Sequence, residues 1–110
     1  MLKLYSRFNL FPIGMGVITL PVEDFDCIEI NVTTSPTQLD DIKCTEAIFF
    51  NDPDSSGSVF IANVSKNPNV DEGKRFKIPP GSAVTIRLNN LNQVVVNSDS
   101  SAKLYIMWVR

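Results

Sequence analysis

Carboxylates are the side chains of this sequence best suited to catalysis, and they occur in three clusters. The clusters are Glu23-Asp24 with Asp26, Asp40-Asp41, and Asp52 with Asp54. Two carboxylates that flank a glycosidic bond can act as acid and base in a glycosidase. All three clusters fall in predicted loops, however, where aspartate is favoured because its side chain bonds the backbone of turns. We therefore interpret them as turn residues and assign no catalytic residue.

The residue types that other common mechanisms require are missing or badly spaced. The chain has no histidine, which excludes Ser-His-Asp and Cys-His nucleophilic catalysis and histidine-ligated zinc. Residues 52–57 loosely resemble a calcium loop, but a third acidic ligand and a glutamate at the twelfth position are lacking, so a hairpin turn is favoured. We expect no enzymatic activity, no bound metal and no cofactor.

The two cysteines, Cys27 and Cys44, indicate whether the protein resides in a reducing or an oxidising compartment. They are too few for a disulfide framework, and with no second pair they cannot form a zinc knuckle. We expect both thiols to be free in a reducing cytosol, with a Cys27–Cys44 bridge as the alternative. Polar residues, glycines and a proline interrupt the apolar residues near the start, which argues against a signal peptide.

One small basic segment raises the question of nucleic-acid binding. Lys74, Arg75 and Lys77 surround Phe76, and aromatics interleaved with basic residues can bind single-stranded nucleic acid. The net charge of −2, from 10 basic and 12 acidic residues, is not that of a typical nucleic-acid-binding protein. We interpret the segment as an edge strand with a solvated charged face. No stretch approaches the roughly 20 apolar residues of a membrane span, so neither nucleic acid nor membrane is an expected partner.

Short β-like runs separated by turn residues are the elements that position these side chains. Apolar and polar residues alternate in most runs, as in strands with one buried face. The runs lie near 17–22, 27–32, 45–50, 58–64, 75–78, 83–88, 94–96 and 103–109. They predict an all-β fold: a single antiparallel β-sandwich or jelly roll of seven to nine strands, with almost no helix. The best helix candidate is one turn at 37–43.

The same alternation predicts the core and the position of several strands. The predicted core residues are Ile28, Ile30, Phe60, Val84, Ile86, Leu88, Leu104 and Ile106, with Trp108 in line with the last two. Residues 58–64 are apolar on both faces except at Asn63, which predicts a central strand. Turn residues at 52–57 and 97–101 are expected to face solvent.

The first 16 residues differ from the rest of the chain. They carry seven large apolar side chains without a period of two, and one proline and two glycines prevent a helix. These side chains are Leu2, Leu4, Tyr5, Phe8, Leu10, Phe11 and Ile13. We therefore divide the chain into an apolar N-terminal arm, 1–16, and a β-sandwich domain, 17–110. The seven residues are the predicted assembly interface, because leaving them in water forgoes roughly 1.5–3 kcal/mol for each one that could be buried. The arm could instead cover its own core, and deletion of 1–16 would then unfold the domain.

The region from Thr45 to Trp108 resembles a known class of proteins. The resemblance is carried by Ala47-Ile48-Phe49-Phe50-Asn51, Val59-Phe60-Ile61-Ala62-Asn63, Phe76-Lys77-Ile78-Pro79-Pro80-Gly81-Ser82 and residues 88–98 and 103–109. This pattern is similar to small β-sandwich structural proteins of tailed bacteriophages, of the decoration, head-fibre or tail-adaptor type. The resemblance implies a virion protein, made in the host cytoplasm. Its partners would be other virion proteins and copies of itself in a symmetric homo-oligomer.

A second function class stays open beside the virion hypothesis. Carbohydrate-binding β-sandwiches use asparagine, aspartate and aromatic residues in their loops. Amide side chains are concentrated late in this chain, at Asn89, Asn90, Asn92, Gln93 and Asn97. The alternative is therefore a non-catalytic carbohydrate-binding module, although the same residues are common in turns.

Overall fold

Eight strands form in the part of the chain that the structure, a computed structural model, describes: residues 24–66 and 72–110. The strands are β1 Phe25–Val32, β2 Thr37–Gln38, β3 Glu46–Asn51, β4 Val59–Asn63, β5 Arg75–Ile78, β6 Ala83–Arg87, β7 Val94–Ser98 and β8 Ala102–Val109. Two single 3-10 turns lie at Glu72–Lys74 and Leu91–Gln93. Most strands coincide with the alternating runs of the sequence, since alternation lets one face of a strand be buried while the other stays wet.

The strands form two antiparallel sheets of four, packed face to face. Their orders are β1-β8-β3-β6 and β2-β7-β4-β5. Every connection except β4–β5 passes from one sheet to the other, so sequence neighbours rarely pair. This order is that of a jelly roll, in which Greek-key connections place the first and last strands side by side. The predicted all-β fold with almost no helix is confirmed.

The core lies between the two sheets and contains most of the predicted residues. Leu104 and Ile106 of β8 are completely buried, and Trp108 is nearly so. The predicted residues of β1 and of the segment 83–88 are half-buried and pack against this cluster, because β1 and β6 are the outermost strands of their sheet. They are Ile28, Ile30, Val84, Ile86 and Leu88.

Phe60 departs from the predicted core. It is buried, but Val59 and Ile61 are the β4 residues that join the cluster between the sheets, so Phe60 faces the other way. The guanidinium carbon of Arg75 lies 3.9 Å from the centre of the Phe60 ring and covers it, a cation–π contact. Local alternation could not decide between the two faces of β4, because both are apolar.

Strand position agrees with prediction for β4 and β5, whereas β2 was not predicted. β4 lies between β7 and β5, and β5 is at the edge of its sheet. Residues 37–43 form no helical turn. Thr37 and Gln38 pair with Val96 and Val95 instead, and the Gln38 Nε2 donates to the backbone oxygen of Asn92 at 2.7 Å. The predicted strand at 17–22 lies outside the described residues.

The expectation that 97–101 faces solvent is wrong at its first two positions. Asn97 and Ser98 belong to β7 and are each 2% exposed. Pairing of Ser98 with Val59 of β4 extends β7 beyond its apolar run. The Ser98 hydroxyl donates to the backbone oxygen of Val32 at 3.2 Å, which satisfies its polar group in the interior.

Asn51, at the end of β3, forms hydrogen bonds inside the protein with the loop that ends at Gly57 and with residues 78–82. Its Nδ2 donates to the backbone oxygens of Gly57 at 3.1 Å and Ile78 at 2.9 Å, and the residue is completely buried. Its backbone NH donates to Ser82, and its backbone oxygen accepts from Gly81. Gly81 has φ of +82°, as the third residue of a type II turn requires. One buried amide thus positions both loops at this end of the sandwich.

Candidate functional site

The predicted acidic clusters remain separate in the fold. Asp24 pairs with Arg110 at 3.2 Å, and Asp52 Oδ1 accepts from the backbone NH of Asp54 at 2.8 Å. Across the described ranges, no three side chains of the metal-binding types lie together. The bond from Asp54 to Asp52 is the local turn chemistry that the sequence predicts for such residues.

Asp52 also takes part in a polar cluster at the margin of β8. The Tyr105 hydroxyl donates to Asp52 Oδ2 at 2.9 Å, and Lys103 Nζ lies 3.4 Å from a Glu29 carboxylate oxygen. The backbone NH of Asp54 and the Tyr105 hydroxyl lower the pKa of Asp52. The bond to Asp52 raises the pKa of Tyr105, and Glu29 raises the pKa of Lys103. These shifts move each pKa away from neutrality, so the cluster suits ion pairing rather than proton transfer.

The two thiols are unlike each other and do not bond. Cys27 is exposed on β1, whereas Cys44 is buried. Burial raises the pKa of Cys44, and its Sγ donates to the backbone oxygen of Leu88 at 3.5 Å. The prediction that both thiols are free is confirmed, and the bridged alternative is wrong for this structure.

The basic segment borders a cleft of about 750 Å³ between the edge strands β5 and β6. Ile61 and Ile86 contribute apolar walls, and Lys74 and Arg87 are exposed at the margin. Phe76 also lines the cleft and is 56% exposed. The predicted edge strand therefore contributes to a cleft with a basic margin.

Two of the five side-chain amides that suggested carbohydrate binding, Asn90 and Gln93, cap a 3-10 turn. Asn90 Oδ1 accepts from the backbone NH of Asn92 at 2.9 Å and of Ile42 at 3.0 Å. Gln93 Oε1 accepts from the backbone NH groups of Asn89 and Asn90 at 2.8 and 3.1 Å. These bonds form a capping box at the 3-10 turn Leu91–Gln93. Asn90 and Gln93 therefore have an internal structural role.

The most unusual surface is the outward side of the sheet β1-β8-β3-β6. Apolar and aromatic side chains adjoin there across three strands, and we call this set the outer patch. Its members are Phe25, Cys27, Ile48, Phe50, Tyr105, Met107 and Val109. Phe25 is 65% exposed and Met107 38%. The outward side of a sandwich sheet is normally polar, so apolar residues at adjoining outward positions of three strands are unusual.

Strand register makes the outer patch continuous. Met107 lies directly between Cys27 on β1 and Ile48 on β3. Two residues along β8 from Met107, Tyr105 lies opposite Phe50 of β3, and the two ring centres are 6.0 Å apart. Directly opposed residues on neighbouring strands lie about 5 Å apart at their Cβ atoms, so these side chains contact one another and form one surface.

The outer patch was not predicted from the sequence, although a signal was present. In β3, Ile48, Phe49 and Phe50 follow one another, and β8 likewise has apolar residues on both faces. A strand that is apolar on both faces indicates that each face is covered. Within residues 24–66 and 72–110, the side that carries Phe49 is completely buried, whereas Ile48 and Phe50 on the other side are half-buried. The seven arm residues predicted as the assembly interface lie outside the described residues.

Comparisons with known proteins place the chain in no family. Neither the scan of protein-family models nor the search of curated proteins finds a match. A crystal structure of a Neisseria meningitidis protein is similar with a TM-score of 0.54 and 9% identity, over 83% of this chain and 80% of that one. A disulfide-linked pilus of Bacillus endospore appendages has a TM-score of 0.46 and 14% identity, over 93% of this chain and 98% of that one. The first likeness is one of fold.

The described segments contain no helix of the length and apolarity needed to cross a bilayer.

Proposed function

We propose that this chain is a structural protein of a tailed-bacteriophage particle. It serves as a capsid decoration or head–tail subunit and acts through contacts between subunits rather than by catalysis. It is made in the host cytoplasm and resides in the virion. Its partners are other virion proteins and further copies of itself in a symmetric homo-oligomer.

The outer patch is the observation that carries this proposal. An exposed apolar sheet face is a typical feature of a protein–protein interface. Burial of Phe25 and Met107 in a contact would remove their apolar surface from water, which is the main driving force of subunit association. The jelly-roll order of the strands adds support, since this architecture recurs in viral capsid proteins.

The test is mass spectrometry of purified particles from the source of the chain. We expect the protein in stoichiometric amount relative to other structural proteins of the particle. A protein that is abundant in the lysate but absent from purified particles would contradict the proposal. Light scattering of the purified chain should show a defined oligomer.

A carbohydrate-binding module is the second candidate, favoured by the exposed Phe76 at the cleft. Aromatic faces stack on sugar rings, and jelly rolls also occur among lectins. On a glycan array this candidate expects saccharide binding that Phe76→Ser abolishes. Binding to no glycan, or binding that survives Phe76→Ser, would dismiss the cleft as a sugar site.

A further inference from the structure

We propose that the outer patch of one copy is covered by the apolar arm, residues 1–16, of a second copy. The inference rests on the proposed assembly function and names the contact that performs it.

The described chain begins with extended backbone at the end of the β1–β8 ladder. The backbone NH of Asp24 donates to the oxygen of Arg110 at 3.3 Å, and the NH of Arg110 donates to the oxygen of Asp24 at 3.1 Å. This pair continues the β1–β8 ladder, so the backbone is still extended at Asp24. An extended backbone points beyond the end of the sheet rather than back across its face. The arm is therefore connected to the domain at the end of β1 where Phe25 of the outer patch lies.

The arm is long enough to reach and cross the face of another copy. Sixteen extended residues span about 50 Å, and residues 17–23 add roughly 20 Å of connection. The eight residues of β8 span only about 27 Å. A neighbour's arm can therefore cover the whole outer patch while its own domain stays clear of the contact.

Composition and charge favour the outer patch over the basic cleft as the docking surface. The arm contributes seven large apolar side chains, and its charged residues are Lys3 and Arg7, with no acidic residue before Glu23. Glu29 and Glu46 occupy outward positions beside the outer patch, opposite Tyr105 and Val109. Glu29 already pairs with Lys103 at 3.4 Å, so the margin of the outer patch is mixed in charge and does not repel a cationic segment as the basic margin of the cleft does.

This contact joins different segments of two copies, because the patch of one copy meets the arm of another. Such contacts close as a pair of copies that exchange arms or as a ring, or they propagate as a filament. They also have a property that a symmetric patch-to-patch contact lacks. When one copy carries substitutions in the arm and the other carries a substitution in the patch, the intact arm of the second copy can still bind the intact patch of the first.

Complementation between two full-length variants tests the proposal. The arm variant carries Leu4→Ser, Phe8→Ser and Phe11→Ser, and the patch variant carries Phe25→Ser. The patch variant should associate about 100-fold more weakly, since a side chain 65% exposed in the monomer no longer contributes to the contact. Phe76→Ser is the matched control, because Phe76 is 56% exposed on a different surface. Sedimentation velocity measures association, and circular dichroism verifies folding.

We expect the wild type and the Phe76→Ser control to form the same oligomer, and each of the other two variants to be monomeric. An equimolar mixture of the arm variant and the patch variant should form a 1:1 dimer. A mixture that stays monomeric would overturn the proposal, as would an arm variant or patch variant that still assembles like the wild type. A wild type that is monomeric at every concentration would also overturn it.

The proposed function fails separately from this inference. If the mixture dimerises but the protein is absent from particles, the arm-to-patch contact stands and the virion assignment falls. If the protein is present in particles but the mixture does not dimerise, the contact falls and the virion assignment stands.

Discussion

Replacement of Asn51 by aspartate is the sharpest test of how this jelly roll is held together. In Asn51→Asp the two hydrogen bonds from Nδ2 are replaced by an oxygen that faces the backbone oxygens of Gly57 and Ile78. A buried carbonyl that loses its donor costs about 1–3 kcal/mol, so two cost about 2–6 kcal/mol. The free energy of unfolding falls by about 1–3 kcal/mol for each molar of urea, so a loss of stability near 3 kcal/mol lowers the urea midpoint of unfolding by roughly 1–3 M.

The effect of Asn51→Asp should depend on pH with a defined sign. Burial and the two carbonyl oxygens raise the pKa of the new carboxyl in the folded state above its unfolded value of about 3.9. A carboxyl whose pKa is higher in the folded state than in the unfolded state stabilises the folded state fully at pH values below its unfolded pKa. This contribution to stability is lost as the pH rises through the folded-state pKa. The variant should therefore be least destabilised near pH 4 and most at neutral pH.

Urea titration followed by fluorescence is the assay, because Trp108 is the chain's one tryptophan and is buried. Asn31→Asp on the exposed side of β1 is the matched control and should shift stability by less than about 0.5 kcal/mol. Asn51→Leu should cost less than Asn51→Asp at neutral pH, because it removes an Oδ1 that accepts no hydrogen bond from the described residues. An Asn51→Asp midpoint equal to that of the control would refute this account of Asn51.

Three further predictions follow from the same structure. In the monomeric variant Leu4→Ser, Phe8→Ser, Phe11→Ser, whose outer patch is uncovered, Cys27 should react rapidly with a maleimide while Cys44 reacts only on unfolding, since one thiol is exposed and the other buried; equal rates, measured by mass spectrometry, would contradict this. Tyr105→Phe should raise the pKa of Asp52, because the Tyr105 hydroxyl lowers it, and NMR titration measures the change. On acidification, the stability that Asp52 contributes above its unfolded pKa should then be lost at a higher pH than in the wild type. An unchanged titration midpoint would show that the hydroxyl has no effect. Gly81→Ala should destabilise the fold by roughly 1–2 kcal/mol in thermal unfolding, because φ is +82° there; an unchanged melting temperature would argue against the type II turn.

The candidate site was harder to predict from the sequence than the fold that presents it. Ile48 and Phe50 stood out as members of an apolar run, but their exposure could not be predicted. A residue on an apolar strand is exposed only if nothing packs on that side, and this depends on how strands distant in sequence assemble. The short strand β2 was missed for a related reason. Its two residues carry no alternation of their own and become a strand through pairing with β7.

The sequence alone determined that this protein is built of strands, and roughly where each lies. The period-two alternation in segments such as 27–32 and 103–109 is a local property, and a strand with one apolar face is the conformation that buries it. The tertiary structure decided which strands pair and which faces remain open. Phe49 is completely buried while Phe50 is half-buried, although they are adjacent in an apolar run. The other sheet packs on the side of β3 that carries Phe49. Alternation assigns adjacent residues to opposite faces, and only the packing of the two sheets determines which face is inside.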